Sequence, residues 1–237
     1  MTTDTSTLLH PLLQQDDVQG LVFDLDGTLV DSAADILGGI RETFRQAGYG
    51  DVPDDYFPTN LHGTSDGIMR AIMHDMGWQA PADLRDLKEL YYVVYARRAH
   101  ASTRLYPGAA EVLRLCDGRL PMGICTNKIH RNAVQACQAL GIESYFRVIS
   151  GADTWPQAKP SPVPLLETIR EMGLQPQYCL YFGDTSVDAE CAAAAGVRFV
   201  LHASGYGDTA LHGLPRVHTF SRWPELLSTP VSDTSLS

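Results

Sequence analysis

This sequence predicts an α/β fold built on a doubly wound parallel sheet, with a smaller all-helical domain inserted after the first strand. Three observations carry that expectation. Short apolar runs end abruptly in polar residues, as at Leu21-Val-Phe-Asp-Leu-Asp26. Segments of helical spacing with glycine stops separate these runs, so each strand must reach the next through a crossover, which is right-handed and gives a parallel sheet. Finally, the rhythm is helical without a strand from about residue 36 to about 103, and strand and helix alternate only after Pro107-Gly108.

Residues 18–26 read as the first strand, an apolar run of the kind buried on both faces that passes into a functional turn at Gly27. A helix from Ser32 to Gly48 follows. Ile36, Ile40, Phe44 and Ala47 recur at three- and four-residue spacing, Ser32 is placed to cap the start, and Gly48 to end it. In the insert, Ile68, Met69, Ile72, Met73 and Met76 form one apolar stripe. Leu84, Leu87, Tyr91, Val94 and Tyr95 form another, opened by Pro81 and Asp83, and packing accounts for both. The chain then alternates: a helix to Cys116, a strand Met122 to Cys125, a helix ending at Leu140-Gly141 and a strand near Val148-Ile149. A helix from Val163 to Met172, a strand from Tyr178 to Phe182, a helix from Ser186 to Ala195 stopped by Gly196, and a strand from Val197 to Leu201 complete the series. The expected organisation is an N-terminal extension (1–17), a core (18–35 and 104–227), a helical insert (36–103) and a polar tail (228–237).

Composition narrows the partners. The 237 residues are 44% hydrophobic and 19% charged, enough apolar material for a sizeable core. A net charge of −10 gives no general affinity for nucleic acid or anionic membranes, so an anionic ligand must be bound by local groups. The five cysteines are scattered without a C-x-x-C pair, which suggests reduced thiols and no disulfide framework. The start, Met1 to Gly20, is polar and acidic, and no apolar run approaches a membrane span, so an unexported cytoplasmic protein is expected.

Chemistry gathers at the predicted strand ends, where open α/β sheets bind ligands. Asp24 and Asp26 place two carboxylates beside Gly27, whose freedom permits a sharp turn; one could attack while the other moves protons, or both could be turn and capping residues. A calcium loop fails, because Thr28 and Leu29 stand where an acidic or amide residue and a glycine are needed. Thr126-Asn127-Lys128 offers a hydroxyl and backbone N–H groups at a helix start, a phosphate cradle or a simple cap. Lys159, held extended ahead of Pro160, is either a solvated lysine or, placed beside two carboxylates and a phosphate, a fixed charge that would offset their repulsion. Gly183-Asp184-Thr185-Ser186-Val187-Asp188 opens a helix with acidic residues. It serves either the helix dipole or, with Asp24 nearby, a hard cation such as Mg²⁺ held by oxygen ligands.

In order and spacing these four segments resemble the motifs of the haloacid dehalogenase (HAD) superfamily, phosphatase branch, over nearly the whole chain. The HAD-like Rossmannoid core of that family carries a small helical cap where this chain has its helical insert. Within the branch, Asp26-Gly-Thr-Leu-Val-Asp-Ser-Ala33 and Thr126-Asn127-Lys128 most resemble the phosphoglycolate phosphatase group. The resemblance implies a Mg²⁺-dependent hydrolase of a small phosphorylated metabolite such as 2-phosphoglycolate. Asp24 is then the nucleophile that forms an aspartyl phosphate, and Asp26 the general acid and base. The side chains of Asp24 and Asp184 and the backbone carbonyl of Asp26 hold the metal. Thr126, Asn127 and Lys159 bind the phosphoryl group, and Asp188 orients Lys159 or a metal-bound water. Specificity falls to the cap, with His62, Gly63 and Thr64 as candidates and hinges near residues 32–36 and 100–106.

The same motifs admit rivals. A mutase like β-phosphoglucomutase uses the same aspartates and returns the phosphoryl group to substrate, and sugar phosphate or nucleotide phosphatases share the core. A dehalogenase lacks a counterpart of Asp26. A phosphonate hydrolase needs a reactive cap lysine, and Lys88 is the one lysine there, on an apparently exposed face. A non-catalytic phosphate-binding module is disfavoured by the intact set Asp24, Asp26, Thr126, Lys159 and Asp184.

Overall fold

The first strand, β1 (Gly20–Phe23), is buried at every residue, and its side chains divide between two apolar clusters: Leu21 and Phe23 join one, Val22 the other. That division is the period-2 signature of a strand covered on both faces. The computed structural model describes residues 8–59, 61, 63–98, 100–207 and 209–228. After β1 come β2 (Val30–Asp31) and three helices, α1 (Ala33–Gln46), α2 (Ser65–Asp75) and α3 (Arg85–Arg98), and then β3 (Arg104–Leu105). Alternation follows through α4 (Ala109–Cys116), β4 (Met122–Cys125), α5 (His130–Ala139), β5 (Phe146–Ser150), α6 (Val163–Glu171), β6 (Cys179–Gly183), α7 (Ser186–Ala195), β7 (Arg198–His202) and β8 (His218–Phe220).

Six strands form one sheet in the order β5-β4-β1-β6-β7-β8, with every pairing parallel. Apolar residues of α4 and α5 cover the face that carries Leu21 and Phe23, whereas α6 and α7 cover the face that carries Val22. This is the doubly wound α/β core anticipated from the alternation of strand and helix. Three strands escaped the sequence reading: β2 and β3 have two residues each and β8 has three, too few for any periodicity to register.

Residues Leu9, Leu12, Leu13 and Val18 pack into the first apolar cluster, so the start of the described chain is tied to the core. Leu9 bridges antiparallel to Leu227, and Ser228 N donates to the Leu8 carbonyl (2.8 Å). Residues 1–7 and 229–237 of the expected extension and tail lie outside the described residues. A third cluster is built by the helical segment: Ile36, Ile40 and Phe44 of α1 meet Ile68, Met69, Ile72 and Met73 of α2 and Leu87, Tyr91 and Tyr95 of α3. Ala47, expected on this face, is exposed, because α1 ends at Gln46. The chain leaves and re-enters the core along the antiparallel pair β2–β3, with Val30 opposite Leu105 and Asp31 opposite Arg104. Beside this ribbon the fully buried Asp35 accepts from Ser102 N (2.9 Å) and Thr103 Oγ1 (2.8 Å), fastening the two connecting segments together.

All five cysteines are buried and free. Among the described residues, no helix is long and apolar enough to cross a membrane.

Candidate active site

Sheet register alone brings the strand ends together. Phe23 is level with Ile124 of β4 and with Phe182 of β6, so Asp24, Thr126 and Asp184 emerge side by side at the carboxyl edge. Lys159 arrives from the loop between β5 and α6. The Asn127 side chain fixes that loop by accepting from Lys159 N (3.0 Å) and donating to the Lys159 carbonyl (3.1 Å). Asn127 therefore does not cap α5, whose N-cap is Ile129, and Thr126 Oγ1 accepts instead from Lys128 N (3.2 Å).

Close backbone approach explains the glycine after Asp26. Gly27 has φ +84°, and a Cβ there would overlap Asp184 Oδ2. The turn is held from three sides. Gly27 N donates to the Val30 carbonyl (2.8 Å), Trp223 Nε1 donates to the Thr28 carbonyl (3.0 Å), and His202 Nδ1 lies 2.8 Å from the Gly27 carbonyl.

Four carboxylates and two ammonium groups meet in this space. Lys159 Nζ stands 2.5 Å from Asp188 Oδ1, 2.9 Å from Asp24 Oδ1 and 2.9 Å from the Tyr181 hydroxyl. Its side chain is only 2% exposed, and although burial opposes its charge, Asp188 and Asp24 hold the ammonium above its usual range. Burial likewise opposes the Asp188 charge, but the Lys159 ion pair and hydrogen bonds from Lys159, Tyr181 and Thr185 hold this carboxyl below its ordinary value. Asp188 Oδ2 also accepts from Thr185 N (3.1 Å), closing the first turn of α7, so one carboxylate contacts Lys159 and caps the helix. Asp24 goes the other way: burial, relieved in part by Lys159 but reinforced by Asp188 and Asp26, pushes it up to about 6. Asp184 is raised well above the carboxylate range by burial and by Asp188 and Asp24, even though Thr28 Oγ1 (2.7 Å) and Tyr206 N (2.7 Å) both donate to it.

Asp24, Asp184 and Asp188 each offer an oxygen within 4.8 Å of the others. Asp188 is paired with Lys159 at 2.5 Å through one oxygen and with Thr185 through the other, whereas Asp184 accepts only from the neutral donors Thr28 and Tyr206, so Asp184 together with Asp24 keeps negative charge to offer a cation. Lys159 Nζ is the one ammonium at Asp24 Oδ1 (2.9 Å), and two ammoniums do not balance four carboxylates. An all-oxygen donor set with surplus negative charge fits a hard divalent ion.

Asp26 faces the same cavity as Asp24 but has different partners. Ser32 Oγ donates to its Oδ1 (2.5 Å), and Lys128 Nζ contacts both oxygens at 3.0 and 2.7 Å. Ser32 is thus the N-cap residue of α1 without a side-chain cap: its hydroxyl is turned to donate to the charged Asp26 carboxylate and accepts from no N–H of the first turn. Of the specificity candidates, Gly63 lines the cavity, Thr64 is not among its lining residues, and His62 lies outside the described residues. Sequence reasoning missed Lys128, named there only as part of a motif, and Tyr206. The Tyr206 hydroxyl accepts from Ser32 N (2.7 Å) and lies 3.0 Å from Asp31 Oδ1, while its ring packs against the helical cluster. Trp223 and His202 were missed for the same reason: they act on a turn nearly two hundred positions away, and no local pattern records that.

A family model described as haloacid dehalogenase-like hydrolase matches residues 21–202, from the start of β1 to the end of β7. The chain belongs to this hydrolase family. It is 33% identical over 211 residues to the phosphoglycolate phosphatase of Rhodobacter capsulatus, which covers 87% of this chain and 95% of the relative. To the phosphoglycolate phosphatase of Chromobacterium violaceum it is 32% identical over 199 residues, 83% of this chain and 90% of that one. The fold of a predicted phosphoglycolate phosphatase from Haemophilus somnus superposes with a TM-score of 0.79 at 22% identity, over 89% of this chain and 97% of that structure. As a haloacid dehalogenase-like hydrolase similar to phosphoglycolate phosphatases over most of its length, this chain is a phosphatase.

Proposed function

We propose that this phosphatase hydrolyses the monoester of a small phosphorylated metabolite of the 2-phosphoglycolate type, with Mg²⁺, through an aspartyl phosphate on Asp24. The supporting observation is the contrast between two carboxylates that line one cavity two residues apart. Asp24 is buried with one side-chain partner among the described residues, the Lys159 ammonium at Oδ1, whereas both oxygens of Asp26 are held, by Ser32 and Lys128. A nucleophile needs an oxygen left free to attack, and an acid–base group needs a fixed one.

In the first step Asp24 attacks phosphorus while the ester bond breaks and Asp26 gives its proton to the departing oxygen. In the second, Asp26 takes a proton from water as that water attacks phosphorus, and the Asp24 carboxylate leaves with release of inorganic phosphate. Thr126 and the Asn127 N–H bind phosphoryl oxygens. Lys159, held by Asp188, offsets the charge that accumulates beside Asp24. Asp24, Asp184 and the Asp26 carbonyl would hold the Mg²⁺, which when bound neutralises phosphate oxygens and keeps the two anions together. The helical segment, residues 36–103, acts as a cap over the cavity, flexing at the β2–β3 ribbon, and Gly63 is its specificity candidate at the cavity wall.

A phosphate-release screen tests this reading by setting 2-phosphoglycolate beside hexose phosphates and nucleoside monophosphates, each with Mg²⁺ and with chelator. Mg²⁺-dependent release with 2-phosphoglycolate preferred is expected. Preference for a hexose phosphate overturns the substrate assignment, and turnover that requires a sugar bisphosphate and releases no phosphate makes the enzyme a mutase.

A further inference from the structure

Lys128 carries a charge at the cavity for which the two hydrolytic steps name no substrate contact; in them it serves only to hold Asp26. Among the described lining residues the charged ones are Asp24, Asp26, Lys128 and Lys159. Lys159 is engaged by Asp188, Tyr181 and Asp24, and the reading above gives its charge to the phosphoryl group. Lys128 sits on the other side, where core and helical segment meet: Nζ bonds both Asp26 oxygens and lies 4.8 Å over the ring of Tyr95 on α3. Its side chain is 7% exposed, so it faces the cavity without being solvated away from it.

Among the described residues, the wall that the helical segment contributes is apolar or hydroxylic, with Ile36, Ile40 and Ile68 beside Ser65, Tyr91 and Tyr92. A leaving group that brings its own anion into this space would be desolvated without compensation unless an ammonium received it. Position settles which ammonium is available. If Asp26 protonates the ester oxygen, that oxygen lies within hydrogen-bond reach of Asp26, and Lys128 Nζ lies 2.7 Å from Asp26. A carboxylate on the carbon bonded to the ester oxygen is then beside Lys128.

Resting on the phosphomonoesterase reading above, we propose that Lys128 is the receptor for a second anionic group of the substrate, a carboxylate one carbon from the ester oxygen. On binding, Lys128 exchanges Asp26 for the substrate carboxylate, so a single residue selects the anionic leaving group while Ser32 Oγ keeps Asp26 in place. A neutral leaving group leaves the Lys128–Asp26 pair in place.

The test compares 2-phosphoglycolate with ethyl phosphate, which has a methyl group in place of the carboxylate, using the Mg²⁺-loaded enzyme. Wild type is expected to favour the carboxylate ester in kcat/KM. Lys128→Met should lower that preference on the order of 10- to 100-fold, the range of a charge-assisted hydrogen bond. Lys128→Arg, which keeps the charge, should retain most of it. Binding of the product glycolate, followed by calorimetry, should weaken in Lys128→Met in parallel. Equal losses on both esters would mean that Lys128 serves Asp26 alone, and that outcome overturns the proposal, as does an unchanged ratio. Wild type that turns over ethyl phosphate as well as 2-phosphoglycolate overturns the Lys128 assignment and leaves the phosphomonoesterase reading intact. Wild type that turns over neither ester overturns both.

Discussion

Lys159 Nζ lies 2.5 Å from Asp188 Oδ1, and the opposite oxygen of the same carboxylate accepts the Thr185 N–H at the start of α7. One side chain thus ties the charge of the site to the helix that follows β6. Asp188→Ala removes both bonds and leaves Lys159 with Asp24 as its remaining carboxylate. Breaking one side of a buried ion pair is strongly destabilising, so a loss of about 3 kcal/mol in urea unfolding is expected. Asp188→Asn, which keeps the shape and one acceptor, should lose less. A loss below roughly 1 kcal/mol for the alanine variant contradicts this account.

Asp24→Asn separates stability from turnover. Burial and the neighbouring Asp188 and Asp26 make the Asp24 charge unfavourable in the fold. A neutral amide of the same shape therefore leaves the melting temperature of the metal-free protein unchanged or raises it. The proposed nucleophile is gone, however, and kcat should fall at least about a thousand-fold. Acid quenching during turnover of a labelled phosphomonoester should leave label on the Asp24 peptide of the wild type and none on the variant's. A variant that is unfolded, or fully active, refutes the role.

The same carboxylates give a pH dependence with a defined sign. Asp24 is pushed up to about 6 and Asp184 is also raised, so both bind protons more tightly in the folded chain than in the unfolded one. Their contribution to stability is fully present below the ordinary carboxylate value and is lost as pH rises through about 6 for Asp24. Metal-free protein should accordingly lose this contribution between about pH 4 and pH 7. A divalent cation offsets the repulsion that remains, so Mg²⁺ should raise the melting temperature more at pH 7.5 than at pH 5. Equal Mg²⁺ effects at the two pH values would show that these carboxylates are not its ligands.

The parallel sheet was legible in the sequence because β1, β4 and β6 are buried on both faces and read as apolar runs that stop at Asp24, Thr126 and Asp184. Their adjacency was legible too, since ligands collect at the carboxyl edge of such sheets. What was not legible is how polar side chains choose partners. Ser32 carries every local mark of a helix cap, yet its hydroxyl is turned away from the first turn to donate to the Asp26 carboxylate. Lys128 pairs with Asp26 across 102 positions, and Asn127 reaches Lys159 across 32, distances that no spacing rule spans. The segment after β7 showed no periodicity at all, although it supplies Tyr206 and Trp223 to the site's first turn.

Tyr206 joins three parts of the molecule. Its N–H donates to Asp184, its hydroxyl accepts from Ser32 N at the foot of α1, and its ring packs against the helical cluster. Tyr206→Phe keeps the first and third contacts and deletes the second, leaving the buried Ser32 N–H without its acceptor. An unpaired buried donor costs about 1–3 kcal/mol, which urea unfolding can read. If Ser32 relaxes, the hydroxyl it directs onto Asp26 shifts with it, so kcat should drop several-fold while Mg²⁺ affinity, set by Asp24 and Asp184, stays near that of the wild type. A variant that loses Mg²⁺ affinity but keeps kcat would mean that the Tyr206 hydroxyl acts through Asp184 and not through Ser32.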